Sequence, residues 1–186
     1  MATYAGAYSR SMTLPQFILA DATRHRAQLL ELNTEYLRWV VGGFARITGR
    51  SPADMLGMEV EPYVESTVDK VCGDAPPRGA FYLVHCEGAL AGMGGLRCVR
   101  DAVAEVKRIY VRPAFRGRQL GEAILLRVLS DAKAFGYQTM RLDSAPFMQS
   151  AHRIYERHGF VDRPPYDEAE PPKELHPIIR FMEKSL

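Results

Sequence analysis

Glu105 to Ala123 reads EVKRIYVRPAFRGRQLGEA. Its first part, Glu105 to Val111, has the β-branched and aromatic content of a strand. A basic loop with one glycine follows from Arg112 to Gln119. From about Leu120 to Phe135 the residues Ile124, Leu125, Val128, Leu129 and Ala132 form one helical stripe, which Gly136 ends. A helix start of this kind offers unpaired backbone N–H groups and the positive end of the peptide dipole, a ready place for phosphate. Lys107, Arg108, Arg112, Arg116 and Arg118 crowd the same stretch, and Gly117 and Gly121 let backbone approach a ligand closely. The other reading of the same residues is an ordinary turn with a solvated basic face. A Walker A loop is excluded, because no Gly-Lys-Ser/Thr follows. Gly92, Gly94 and Gly95 are not a dinucleotide fingerprint either, since Arg97 stands where a third glycine is needed; they read as room for close packing or a bulge.

Upstream, Ala80–Cys86, Ala89–Val99 and Glu105–Val111 read as strands joined by turns at Glu87-Gly88 and Asp101-Ala102, an antiparallel meander. Before it, Gln16–Ala20 reads as a short strand, and Asp21 as the cap of a helix reaching about Phe44. Ser51-Pro52 starts a second helix, and Pro62–Val71 forms a third. Downstream come a strand at Gln138–Asp143, a helix at Phe147–His158, a Pro-rich acidic loop over residues 162–176 and a strand at Ile178–Met182. The order predicts a flexible lead-in over residues 1–14 and one mixed α/β domain over residues 15–186. Its sheet is expected to be mixed but mainly antiparallel, with helices on both faces.

Composition narrows the classes. With 47% hydrophobic and 25% charged residues, the chain has the make-up of a globular domain rather than a disordered one. No apolar run reaches the roughly 20 residues of a membrane span. A formal charge of +2 gives no general pull toward nucleic acid or anionic membranes. Cys72, Cys86 and Cys98 have neither disulfide nor zinc spacing, and His25, His152, His158 and His176 have no metal spacing, so no metal is expected. No signal-peptide pattern is present, and a cytoplasmic location is the expectation.

Two segments carry a family resemblance. Arg116-Gly117-Arg118-Gln119-Leu120-Gly121 resembles motif A of the GCN5-related N-acetyltransferase (GNAT) superfamily, Gln/Arg-x-x-Gly-x-Gly/Ala, with Gln119 in place of the first glycine. Ala151-His-Arg-Ile-Tyr155-Glu-Arg-His-Gly159-Phe160 is similar to the family's Ala-x-x-x-Tyr-x-x-x-Gly-Phe. Met148 stands where an Asn is frequent. The order of elements from about Gln16 to Met182 also resembles this acyl-CoA N-acyltransferase fold.

The resemblance implies an acetyl-CoA-dependent N-acetyltransferase that transfers acetyl to a primary amine by direct attack in a ternary complex. Backbone amides of Gly117, Arg118, Gln119, Leu120, Gly121 and Glu122 are then expected to hold pyrophosphate, with Arg116 and Arg118 adding charge. Backbone groups of Ile109, Tyr110 and Val111 meet the pantetheine arm, as an added strand does, with Met148 and Ala151 on the same side. Tyr155 is expected to protonate the departing sulfur, its other reading being a core aromatic. Glu105 is expected to be the base, its other reading being a strand glutamate paired with Lys107 or Arg108. Tyr36, Trp39 and Tyr166 are the acceptor-side expectations, beside a loop rich in acids. Between Lys107 and Arg118 there are five bases and no acid, while Asp162 to Glu174 holds five acids. These read as two sites of opposite sign, one for CoA phosphates and one for a cationic amine. The acceptor class, small molecule or peptide, stays open, as does a homodimer; nucleic acid and membrane are not expected partners. A non-catalytic acyl-CoA-binding sensor of the same fold is the alternative.

Overall fold

The computed structural model describes residues 14–186, so the expected lead-in lies, but for Leu14, outside the described residues. Strand β1 (Gln16–Leu19) is followed by helix α1 (Arg26–Thr48), which begins later than Asp21 predicts. The Asp21 carboxylate accepts from the Thr23 and Arg24 amides at 2.9 and 2.7 Å, closing a separate turn, and the helix starts after it. α1 also runs through Gly42 and Gly43 instead of stopping near them. A Cβ on Gly43 would lie 2.2 Å from the Phe147 ring, so the glycine makes room for that ring. Short helix α2 (Pro52–Leu56) starts at Ser51-Pro52 as read, and Asp54 completes a capping box: the Ser51 hydroxyl accepts from the Asp54 amide at 3.1 Å. Helix α3 (Val60–Cys72) precedes the meander of β2 (Ala80–Cys86), β3 (Ala89–Arg100) and β4 (Val103–Val111). Then come α4 (Leu120–Ala134), β5 (Thr139–Ser144), α5 (Gln149–Arg157), β6 (Val161–Asp162) and β7 (Arg180–Ser185).

The strands form one sheet in the order β1-β2-β3-β4-β5-β7-β6. Every pairing is antiparallel except β4 with β5. Leu29 and Leu32 of α1 and Val68 of α3 cover one face with Phe81, Leu83 and Met93. Ile124, Leu125 and Val128 of α4 cover the other with Val84, Leu96, Met140 and Leu142. Strand β2 is therefore buried on both sides, which is why its sequence is apolar without alternation.

Two irregularities open a site in the middle. β4 pairs with β5 only at Val103–Thr139, Ala104–Met140 and Glu105–Arg141. From Val106 to Val111 it has no β5 partner, and the sheet parts there. β4 also carries a bulge against β3, where the register jumps from Gly95 opposite Lys107 to Met93 opposite Tyr110. Arg108 at the bulge has φ of 48°. Gly94 lies beside it, and a Cβ there would sit 2.6 Å from Ile124 Cγ2, so this glycine gives close packing as its place in the strand suggested.

Candidate active site

Along one side of the gap, α4 begins with a row of free donors. Among the described residues, the amides of residues 117–122 find no acceptor, and the first bond is Ala123 N–H to Gln119 C=O at 3.0 Å. No side chain caps the helix. A Cβ on Gly117 or Gly121 would meet nothing within 4 Å, so the row faces open space. This is the backbone arrangement that suits a phosphate group. Gln119 sits in the left-handed region at φ 59°, ψ 13°, the conformation a glycine adopts freely, at a cost of about 1 kcal/mol. The amides keep their directions all the same.

The basic residues divide. Arg116 donates from Nε to the Val111 carbonyl at 3.1 Å and lies 5.5 Å over the Trp39 ring, and Arg118 pairs with Glu87 at 2.9 Å. Both flank the α4 start. Arg112 turns away to Glu31 and Glu35 of α1. Lys107 and Arg108 are buried against Glu170, and Arg100 meets Glu168 at 3.4 Å. The expected pair of sites of opposite sign is thus corrected. The β4 bulge puts Lys107 and Arg108 on the face covered by the acidic loop, and the two charged stretches neutralise each other.

Burial works against ionisation of Glu170, but Lys107 and Arg108 outweigh it and hold its pKa at about 2, below the ordinary 4.5. The folded value lies below the unfolded one, so this stabilisation is full above pH 4.5 and is lost as pH falls toward 2. Glu170→Gln should flatten the acid limb of the stability curve over that window, as measured by urea unfolding at stepped pH. An unchanged limb would contradict this account of the pair.

Glu105, the expected base, is enclosed by its neighbours. It is 0% exposed. Its Oε2 accepts from Arg97 Nε and lies 3.7 Å from Lys107 Nζ, and its Oε1 accepts from the Tyr166 hydroxyl at 2.7 Å. Tyr166 is correspondingly buried, its ring packed on Phe181 with Arg141 and Arg163 over it at 5.2 and 5.1 Å. It braces Glu105 and is not among the residues that line the cavity described below, although it was expected on the acceptor side.

Tyr155 sits on α5 with its ring on Phe160, 5.8 Å between centroids. Among the described residues its hydroxyl has no hydrogen-bond partner. Burial, with the Asp143 charge adding, raises its pKa well above the ordinary value, so the phenol keeps its proton at neutral pH. Met148 precedes α5 and receives the Ser144 hydroxyl at Sδ, 3.6 Å away, while Ala151 packs on the core under α4. Glu122 holds α4 to α5 through His158 at 2.7 Å and Arg157 at 3.1 Å.

On the opposite side of the gap from α4 lies a cavity of about 120 Å³. Val40, Phe44, Met55 and Leu175 give it apolar walls, and Tyr36, Arg108, Asp143 and Glu170 gather its polar groups. Tyr36 lines this cavity. Trp39 stands behind it, 6.4 Å from Tyr36 and 5.8 Å from Phe147 between ring centroids. Sequence reasoning missed Asp143 and the buried Asn33, whose Oδ1 accepts from Arg108 at 2.7 Å. The polar positions Thr139, Arg141 and Asp143 alternate with Met140 and Leu142, a signal that was present in β5. Among the described residues, no group of three or more His, Cys, Asp or Glu is placed to hold a metal ion, and no helix is long and apolar enough to cross a membrane.

A sheet split beside a helix start with free amides leaves room for an extended ligand that carries phosphate. Residues 51–160 match the model of the acetyltransferase (GNAT) family, and the chain belongs to that family. It is 31% identical over 113 residues to the IAA acetyltransferase of Azospirillum brasilense, covering 60% of this chain and 71% of that protein. It is 27% identical over 149 residues to human N-acetylaspartate synthetase, covering 73% of this chain but 49% of the relative. Among solved structures, the PaiA N-acetyltransferase of Thermoplasma acidophilum in complex with coenzyme A superposes with a TM-score of 0.63 at 17% identity, over 93% of this chain and 99% of that one.

Proposed function

We propose that the protein is an acetyl-CoA-dependent N-acetyltransferase acting on a primary amine by direct attack within a ternary complex. The observation that carries this is the row of six unpartnered amides at residues 117–122, opening onto the parted β4 and β5. Acetyl-CoA, when bound, supplies an activated thioester carbonyl. The amides from Gly117 to Glu122 hold its pyrophosphate, and Arg116 and Arg118 add charge from either side. Ile109, Tyr110 and Val111 belong to the part of β4 that β5 leaves unpaired, and their backbone serves the pantetheine amides as a strand edge does. A strand amide near Val111 is assigned to the carbonyl oxygen. The fold shared with the Thermoplasma enzyme, which is in complex with coenzyme A, supports coenzyme A as the ligand.

On the acceptor side, the cavity lined by Tyr36 receives the amine. A basic amine with a pKa of about 10.4 is neutral in only about one molecule in a thousand near pH 7.4, so the protein must take a proton from it. Tyr155, protonated at neutral pH, gives a proton to the sulfur. The cavity has mainly apolar walls, which suits an amine with an apolar body.

Calorimetric titration of CoA tests the cradle. Gly121→Asp has room for its side chain, so the fold should stand while the new charge faces the pyrophosphate. CoA affinity should fall by about tenfold or more, since one misplaced charge exceeds 1.4 kcal/mol here. Unaltered affinity would show that the phosphate binds elsewhere. Tight CoA binding with no release of thiol from acetyl-CoA for any amine would favour the sensor reading.

A further inference from the structure

Two carboxylates meet where the sheet parts. The last β4–β5 pair is Glu105 with Arg141. Alternation puts Asp143 on the same face as Arg141, one step beyond that pair, where β4 no longer covers it. Asp143 lines the cavity with Tyr36, Arg108 and Glu170, and its carboxyl interacts electrostatically with that of Glu105. Glu105 is enclosed, with its oxygens held by Arg97 and Tyr166. Of the two carboxylates, only Asp143 is open to a molecule in the cavity.

We propose that Asp143 is the group that takes the proton from the acceptor amine, with Glu105 behind it as a positioning residue; this rests on the N-acetyltransferase reading above. The groups that interact with it are Glu105 and Lys107 of β4, Tyr166 and Glu170 of the acidic loop, Tyr36 of α1 and Tyr155 of α5, and Arg108 of β4 lines the same cavity. Burial pushes its pKa up to about 7; Lys107 pulls against this, and Glu105 and Glu170 add to it. A carboxylate raised in this way takes a proton from an adjacent ammonium group at a smaller cost than an ordinary carboxylate does.

The protons balance as follows. Asp143 takes one proton from the ammonium, leaving a neutral nitrogen with a free electron pair. That nitrogen forms the N–C bond as the C–S bond breaks. Tyr155 gives its proton to the sulfur, and the nitrogen's second proton passes through water to the Tyr155 oxygen. One acetyl group has moved, and Asp143 returns one net proton to solvent.

The test is steady-state thiol release between pH 5.5 and 9, using whichever of phenethylamine, leucinamide, spermidine and a peptide N-terminus the wild type acetylates fastest. Asp143→Asn should lower kcat/KM by about 100-fold or more and remove the rising limb near pH 7, with the KM for acetyl-CoA within about threefold of wild type. Asp143→Glu should recover part of the rate. Glu105→Gln removes a like charge beside Asp143 and should move the limb to lower pH, a test that stands even where Asp143→Asn folds poorly. An Asp143→Asn rate within about threefold of wild type would overturn the assignment. So would a slower variant with the limb unchanged, which marks a structural role. Failure of the wild type with every amine would instead overturn the acetyltransferase reading, and this assignment with it.

Discussion

Tyr155→Phe is expected to lower amine-dependent thiol release by about 100-fold or more while CoA affinity stays within about threefold of wild type. The ring would keep its place on Phe160, because the substitution removes one oxygen and no packing surface. What is lost is a protonated phenol without a competing hydrogen-bond partner, on the helix that borders the gap. A departing thiolate with no donor is a poor leaving group, so kcat should carry the loss. Steady-state kinetics together with calorimetric CoA binding separate the two quantities. A kcat within about threefold of wild type would return Tyr155 to the role of a core aromatic.

Glu105→Ala is expected to cost about 3–5 kcal/mol of folding stability, because it strands charges that burial had paired. Glu105 is fully enclosed, and its removal leaves the Arg97 guanidinium, the Lys107 ammonium and the Tyr166 hydroxyl without their shared acceptor. For a chain of this size the melting midpoint should fall by about 10 °C. Glu105→Gln keeps an acceptor for Tyr166 and should lose less. Urea unfolding at pH 7 measures both. A loss below about 1 kcal/mol for Glu105→Ala would mean that water replaces the carboxylate and that the site is wetter than its burial implies.

The parts of the molecule that could be read from sequence are those whose signals are local. The helix from Leu120, the Tyr155 segment and the helix start at Ser51-Pro52 each rest on spacings within one turn or two. The position of Glu105 was not legible. It depends on a partner 61 residues along the chain, Tyr166, and on a strand bulge that a pattern of residue types does not locate. The two opposite charge runs were visible, but their meeting was not, because it needs the acidic loop to fold back over β4. Asp143 looked like the end of a strand. Only the loss of β4–β5 pairing after Glu105 shows that this end faces a cavity. The α1 start was misplaced because Asp21 caps a turn that stops short of the helix.

The central claim is acetyl transfer from acetyl-CoA to an amine. Its most direct test incubates the protein with acetyl-CoA and the four amines named above, following free thiol and N-acetylated product together by mass spectrometry. One or more amines should yield thiol and acetylated amine in equal amounts, at a rate that needs both substrates. Thiol release independent of amine, or none with any amine despite saturating CoA binding, would contradict it.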